Sequence, residues 1–136
     1  KNPSHVETLN ALGYLCAEEG VNLSEAENMV RKALKQDPEN GAYLDSLGWV
    51  YFKKNDYKNA KRYLQKAIEG AKDPVIYEHL GDVYVKLNDV KEAVKYYNEG
   101  LKLDPKNKAL KEKADKYGRQ DKASGEESKS DKKVNN

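Results

Sequence analysis

The large apolar residues of this chain recur at helical spacing in three matching registers. Leu9 and Leu12, Leu44 and Leu47, and Tyr77 and Leu80 stand three residues apart, on one face of a 3.6-residue period. Each second member is followed by glycine, so Leu12-Gly13, Leu47-Gly48 and Leu80-Gly81 are separated by 35 and 33 residues. Twelve or thirteen residues after each glycine comes an alanine: Ala26, Ala60 and Ala93. Seven positions further on stands a second small residue, Ala33, Ala67 or Gly100. Self-similarity near 34 residues marks stacked helical hairpins, so the pattern predicts an all-α fold. The predicted helices are 4–19, 24–36, 39–54, 57–70, 74–87 and 90–103.

Gly13, Gly48 and Gly81 fall mid-helix, where glycine costs about 1 kcal/mol relative to alanine. Three repetitions of that cost need a packing reason. The reason expected is close approach of each hairpin's second helix, where Ala26, Ala60 and Ala93 also lack bulk. Helix starts are read from Ser24 with Glu27 and Asp89 with Glu92 as capping boxes, and from Asp56 as a cap. Asp37-Pro38 and Asp104-Pro105 end second helices, because the residue before proline avoids the α region.

Aligned on the glycines, the first halves read VETLNALGYLCAEEG, GAYLDSLGWVYFKKN and PVIYEHLGDVYVKLN. The second halves read LSEAENMVRKALKQDP, YKNAKRYLQKAIEGAKDP and VKEAVKYYNEGLKLDP. The chain resembles the tetratricopeptide repeat family over roughly residues 4–105. The resemblance implies a right-handed superhelical solenoid of three antiparallel helix-turn-helix repeats with a C-terminal capping helix. It places the repeats at about 6–40, 41–73 and 74–107, and the domain at 1–118. It also implies a non-catalytic interaction module that binds a peptide or partner segment in its concave groove. The style of LDSLGWVYFKKNDY is similar to that of bacterial repeat proteins.

Residues 107–117, NKALKEKADKY, are expected to be the capping helix. Leu110, Ala114 and Tyr117 form its apolar stripe, Lys106, Lys108, Lys111, Lys113 and Lys116 keep the outer side wet, and Gly118 stops it. Residues 119–136 contain one aliphatic side chain larger than alanine, Val134, and are expected to be a disordered polar tail. The chain begins Lys1-Asn2-Pro3-Ser4, and Asn2-Pro3 stands where Asp37-Pro38 stands one repeat later. The expectation is a piece of a longer array, with cytoplasmic and periplasmic locations both open.

Composition narrows the function. Apolar residues make up 38% and charged residues 35%, as suits a thin solenoid with much surface. The net charge of +2 is too small to argue for nucleic acid. No apolar run approaches a membrane span. Cys16, the single cysteine, stands at an inward position and reads as a small hydrophobe. His5 and His79 are too far apart in the stack to share a metal. There is no nucleophile–base pair and no phosphate-binding glycine loop, so neither an enzyme activity nor a cofactor is expected.

The resemblance then points to the concave-face positions of each first helix. The peptide-groove candidates are Asn10, Tyr14, Asp45, Trp49, Phe52, Glu78, Asp82 and Val85. Tyr14, Trp49 and Phe52 are expected to give an aromatic floor for a partner's apolar anchors. Asp45, Glu78 and Asp82 are expected to add a preference for basic residues. Chaperone tails ending in carboxylates, which one branch of the family grips with lysine, asparagine and arginine, are expected to be repelled. The alternative is a self-assembly module, through repeat stacking or insertion of a neighbour's terminal segment.

Overall fold

The computed structural model describes the backbone of residues 3–134 and the side chains of residues 5–125. Asn2, read above as part of an earlier repeat, lies outside the described residues. The elements are α1 (Pro3–Glu19), α2 (Leu23–Gln36), α3 (Gly41–Lys53), α4 (Tyr57–Gly70), α5 (Pro74–Lys86), α6 (Val90–Leu103) and α7 (Lys108–Val134). The first six lie within two residues of the ranges expected from sequence, and no strand occurs among the described residues. Consecutive helices pair as hairpins, α1 with α2, α3 with α4 and α5 with α6. The first helices α1, α3 and α5 follow one another along one side.

The hairpin turns share one geometry. Gly20, Asn55 and Asn88 take the left-handed conformation, with φ of 70°, 65° and 62°. Each is followed by an amide reaching five residues back: Val21 to the Cys16 carbonyl, Asp56 to Tyr51 and Asp89 to Tyr84. That bond satisfies a carbonyl which the helix end would leave orphaned. Asp56 then accepts from the Asn59 amide and Asp89 from the Glu92 amide, each at 3.2 Å. The first hairpin departs from this scheme, and Ser24 with Glu27 does not form the expected capping box. The extra residue of its loop puts Asn22 at the cap with φ 50° and no side-chain bond to the helix. Glu27 is drawn elsewhere, to Arg31, Tyr51 and Lys54.

The mid-helix glycines have the packing reason expected, with a sharper partner. A Cβ on Gly13 would stand 2.6 Å from Val30 Cγ2, and one on Gly48 would stand 2.7 Å from Leu64 Cγ and 3.3 Å from the Ala60 carbonyl. At Gly81 the obstruction is the Tyr97 ring. The glycine therefore admits the large residue one turn beyond the alanine, and the alanine admits the glycine's backbone.

Two apolar clusters result. The larger runs from α3 to α7 through Leu44, Leu64, Leu80, Tyr97 and Leu110. The smaller ties the first hairpin to α3 through Ala17, Ala26, Trp49 and Val50. Cys16 packs against it half-buried, less enclosed than expected. The capping helix starts as expected, with Asn107 accepting from the Leu110 amide and Leu110 and Ala114 buried. It does not stop at Gly118. A Cβ there would meet nothing within 4 Å, and α7 continues through residues 119–134, which were expected to be disordered. No proline interrupts that stretch, and a single glycine costs only about 1 kcal/mol.

Candidate functional site

The eight candidate groove residues all lie on the first helices α1, α3 and α5, but they are not equally exposed. Asn10 and Tyr14 are one turn apart on α1 and half-buried. Asp45 and Trp49 on α3 are each only 7% exposed, and Phe52, one turn beyond Trp49, is half-buried. Glu78, Asp82 and Val85 on α5 are half-buried.

Trp49 is the centre of the arrangement and is more enclosed than the sequence suggested. Its ring lies between Phe52, at 4.5 Å between centroids and 5° between planes, and His79, at 3.8 Å and 18°. Its Nε1 donates to Glu18 Oε1 at 2.6 Å. The ring bridges α1, α3 and α5, enclosed by its neighbours and not open to solvent. Large aromatic area is buried where neighbouring helices meet.

Beneath the ring runs a polar chain that sequence reasoning missed. His79 is 6% exposed, and its Nδ1 stands 2.8 Å from Asp45 Oδ1. The Asp45 carboxylate assigns the ring proton to Nδ1. Nε2 stands 3.5 Å from the Tyr14 hydroxyl. Burial, then the charges of Glu18 and Asp45, push the Tyr14 phenol above its usual range, and a hydrogen bond to Glu18 adds to the shift. The sequence signal was the spacing: Asp45 and His79 are 34 residues apart, one repeat length, on successive first helices.

The acidic end is also satisfied internally. Lys113 of α7 places its Nζ 2.7 Å from Glu78 Oε2 and 3.0 Å from Asp82 Oδ1. Asp82 Oδ1 further accepts from the Tyr97 hydroxyl at 2.7 Å. Burial alone would lower the Lys113 pKa, but bonds and charge from the two carboxylates raise it, so the ammonium is fixed there. Lys113 therefore turns inward, although the lysines of α7 were expected on the wet side. Its position three residues after Leu110 and one before Ala114, at the edge of the apolar stripe, was the available clue.

What remains accessible is narrow. Phe52, Asp82, Val85, Lys86, Tyr97, Lys113 and Tyr117 line a cleft of about 190 Å³. Asn10 Oδ1 is buried with no hydrogen-bond partner, the one such side-chain atom among the described residues. Among the described residues no group of three or more His, Cys, Asp or Glu is placed to hold a metal ion. No helix described is long and apolar enough to cross a membrane.

Three stacked hairpins, glycine-to-alanine helix packing and a capping helix define a tetratricopeptide-repeat solenoid, an architecture that serves protein interaction without catalysis. The family model described as anaphase-promoting complex, cyclosome, subunit 3 matches residues 21–100, and the chain belongs to this family of tetratricopeptide type. It is 34% identical over 79 residues to the TPR repeat-containing protein PA4667 of Pseudomonas aeruginosa. That match covers 58% of this chain and 13% of the relative's length. The relative supports the bacterial character read from the sequence. Among solved structures, the first tetratricopeptide domain of human RPAP3 aligns at a TM-score of 0.81 and 24% identity, over 93% of this chain and 99% of that one. The first tetratricopeptide domain of Spaghetti (RPAP3), bound to the HSP90 peptide SRMEEVD, aligns at 0.80 and 21% identity, over 88% and 98%. At these identities the likeness establishes the fold alone.

Proposed function

We propose that the chain is a peptide-binding scaffold module whose groove takes an extended or helical partner segment by apolar anchors. The observation that carries this reading is the cleft in which the apolar surfaces of Phe52, Val85 and Tyr117 stand beside the charged groups of Asp82, Lys86 and Lys113. Trp49 and His79 are stacked and bonded in place, so Phe52 is held ready and little side-chain entropy is lost on binding. Basic residues are a weaker preference than the sequence suggested, because a partner lysine has to displace Lys113 from Glu78 and Asp82. A carboxylate tail like that of the HSP90 peptide meets the same two acids and is disfavoured.

Panning a random peptide library on the full chain tests this. Apolar pairs should dominate the selected peptides. Phe52→Ala should weaken them by about 2 kcal/mol if Phe52 is a hot spot, with binding compared at a temperature where the melting curve shows the variant still folded, since the ring also stacks on Trp49. Selection of peptides ending in acidic residues, or indifference to Phe52→Ala, would sink the proposal.

The self-assembly reading rests on a different observation. Leu12 and Leu15 are 47% and 56% exposed at the first-hairpin end. A second copy stacking there would bury them. Light scattering across concentration decides: a mass that stays at one chain excludes it, and a mass that rises and is restored by Leu15→Lys supports it.

A further inference from the structure

On the middle second helix, four cations face a single acid, Glu69, whereas α2 and α6 each carry three cations and two acids. Lys58, Arg62 and Lys66 follow one another at four-residue steps along α4, with Lys61 beside Arg62, and all four are exposed. Like charges at that spacing oppose helix formation. The neighbouring second helices pair part of theirs, although among the described residues Lys32 and Lys35 in α2 and Lys91 in α6 stay outside any ion pair. In α2, Arg31 Nε is held by Glu27 at 2.8 Å; in α6, Lys102 is held by Glu99 at 3.0 Å and Lys95 lies 3.9 Å from Glu92. Among the described residues none of the four α4 cations sits in an ion pair. Glu27 stands one repeat before Lys61, so an acid that knits the first hairpin to the second is replaced by a base at the equivalent site.

We propose that this face of α4 is an interaction surface for an acidic segment of a protein partner. Four-residue helical steps space Lys58, Arg62 and Lys66 about 6 Å apart. An extended chain puts alternate side chains on one side about 7 Å apart, so carboxylates on alternate residues meet the three cations in order. Arg62 supplies a planar fork for a bidentate carboxylate contact. Lys66 is the weakest of the set, because it shares a cleft with Glu39 and Glu69. A single-stranded nucleic acid fits less well, since it needs free aromatic faces for its bases. Here Tyr51 stacks on Tyr63 and Tyr84 on Tyr96, each at 5.5 Å, and Arg31 and Lys61 lie over these rings.

The test is a fluorescence-anisotropy titration of the full chain against a labelled peptide of alternating glutamate and serine. The glutamine–serine peptide and an oligouridine of equal charge serve as comparisons. The glutamate peptide should bind, with affinity falling as salt screens the exposed charges, and the glutamine peptide should not. Combining Lys58→Gln, Lys61→Gln and Arg62→Gln should weaken binding about tenfold or more, Lys66→Gln should weaken it less, and Phe52→Ala should leave it unchanged. Single Arg62→Gln, exposed and free of any ion pair, keeps the test valid if the triple variant folds poorly. Absence of binding, indifference to the α4 substitutions, equal loss in Phe52→Ala, or oligouridine binding as tight as the peptide's would each overturn the proposal.

Discussion

The first hairpin and the two that follow are built from the same pattern, yet they bury it differently. Leu47 and Val50 on α3, and Leu80 and Val83 on α5, are fully buried. Leu12 and Leu15, their equivalents on α1, are about half exposed. The hairpin itself is the same, so the difference is the preceding hairpin, which α3 and α5 have beneath them and the described α1 does not. Each unit therefore supplies only half of an apolar interface, and burial belongs to the junction. The ends are also treated unequally. At the far end α7 turns Leu110 and Ala114 inward and presents Lys111, Glu112, Asp115 and Lys116 to water. The first hairpin is held by the smaller cluster around Trp49 and reaches the larger one through Leu34, while the others are built into the larger one.

The comparison is most sharply broken at Trp49. Trp49→Ala should cost about 3–5 kcal/mol, because the ring fills the space between three first helices. Its loss should fall on the first hairpin, with amides of α1 and α2 exchanging faster while those of α5 and α6 stay protected. Uniform acceleration of exchange along the chain, or an unchanged denaturation midpoint, would mean that the two clusters are one cooperative unit or that the ring is not structural.

Leu47→Ala and Leu12→Ala make the same chemical change at equivalent positions. Denaturant midpoints should fall by about 2–5 kcal/mol for the first and shift within about 0.5 kcal/mol for the second. Comparable losses would show that the Leu12 side chain is covered in solution, as the self-assembly reading requires.

The same contrast explains what was legible in the sequence. The Leu-Gly and alanine spacing is enforced by contacts inside one hairpin, such as Gly48 against Leu64, so the residues that make them recur and can be read. The Asp56 and Asp89 caps are local in the same way. The groove depends on contacts between hairpins and with α7, where no period helps. Position marked Trp49 as groove-facing, but only the stacked His79 and the bond to Glu18 show that it is sealed. Asp45, Glu78 and Asp82 look like free charge until His79 and Lys113 are placed beside them. Ser24 with Glu27 matched a capping pattern, yet an extra loop residue moved the cap to Asn22 and freed Glu27 to bind across the junction.

That junction gives a smaller, pH-dependent effect. Burial by itself would raise the Glu27 pKa, but hydrogen bonds from Lys54, Arg31 and Tyr51 outweigh it and lower it from 4.5 to about 2. The folded value lies below the unfolded one, so the contribution is complete above about pH 5 and fades as the pH falls toward about 2. Glu27→Gln should cost about 1 kcal/mol near neutrality and almost nothing at the acid limit, so its stability profile should be flatter than the parent's from pH 5 to 3. Parallel profiles would place the acid sensitivity elsewhere.

The smallest effect is expected at the opposite end. Leu110 and Ala114 bury the docking face of α7, whereas Arg119, Gln120, Lys122, Ala123 and Ser124 are exposed and Asp121 is half-buried. Removing residues 119–136 takes away the helical backbone of 119–134 and a segment whose one aliphatic side chain larger than alanine is Val134, so the stability should move by less than about 0.5 kcal/mol. Circular dichroism separates the two consequences. If the extension of α7 is helical on its own account, truncation should lower the helical signal by more than the loss of an unstructured segment would, with the melting midpoint in place. A truncated chain that loses several degrees of melting temperature would show that this segment docks, and the groove walled by Phe52, Val85 and Tyr117 is where a stabilised peptide or a protected amide would then be sought.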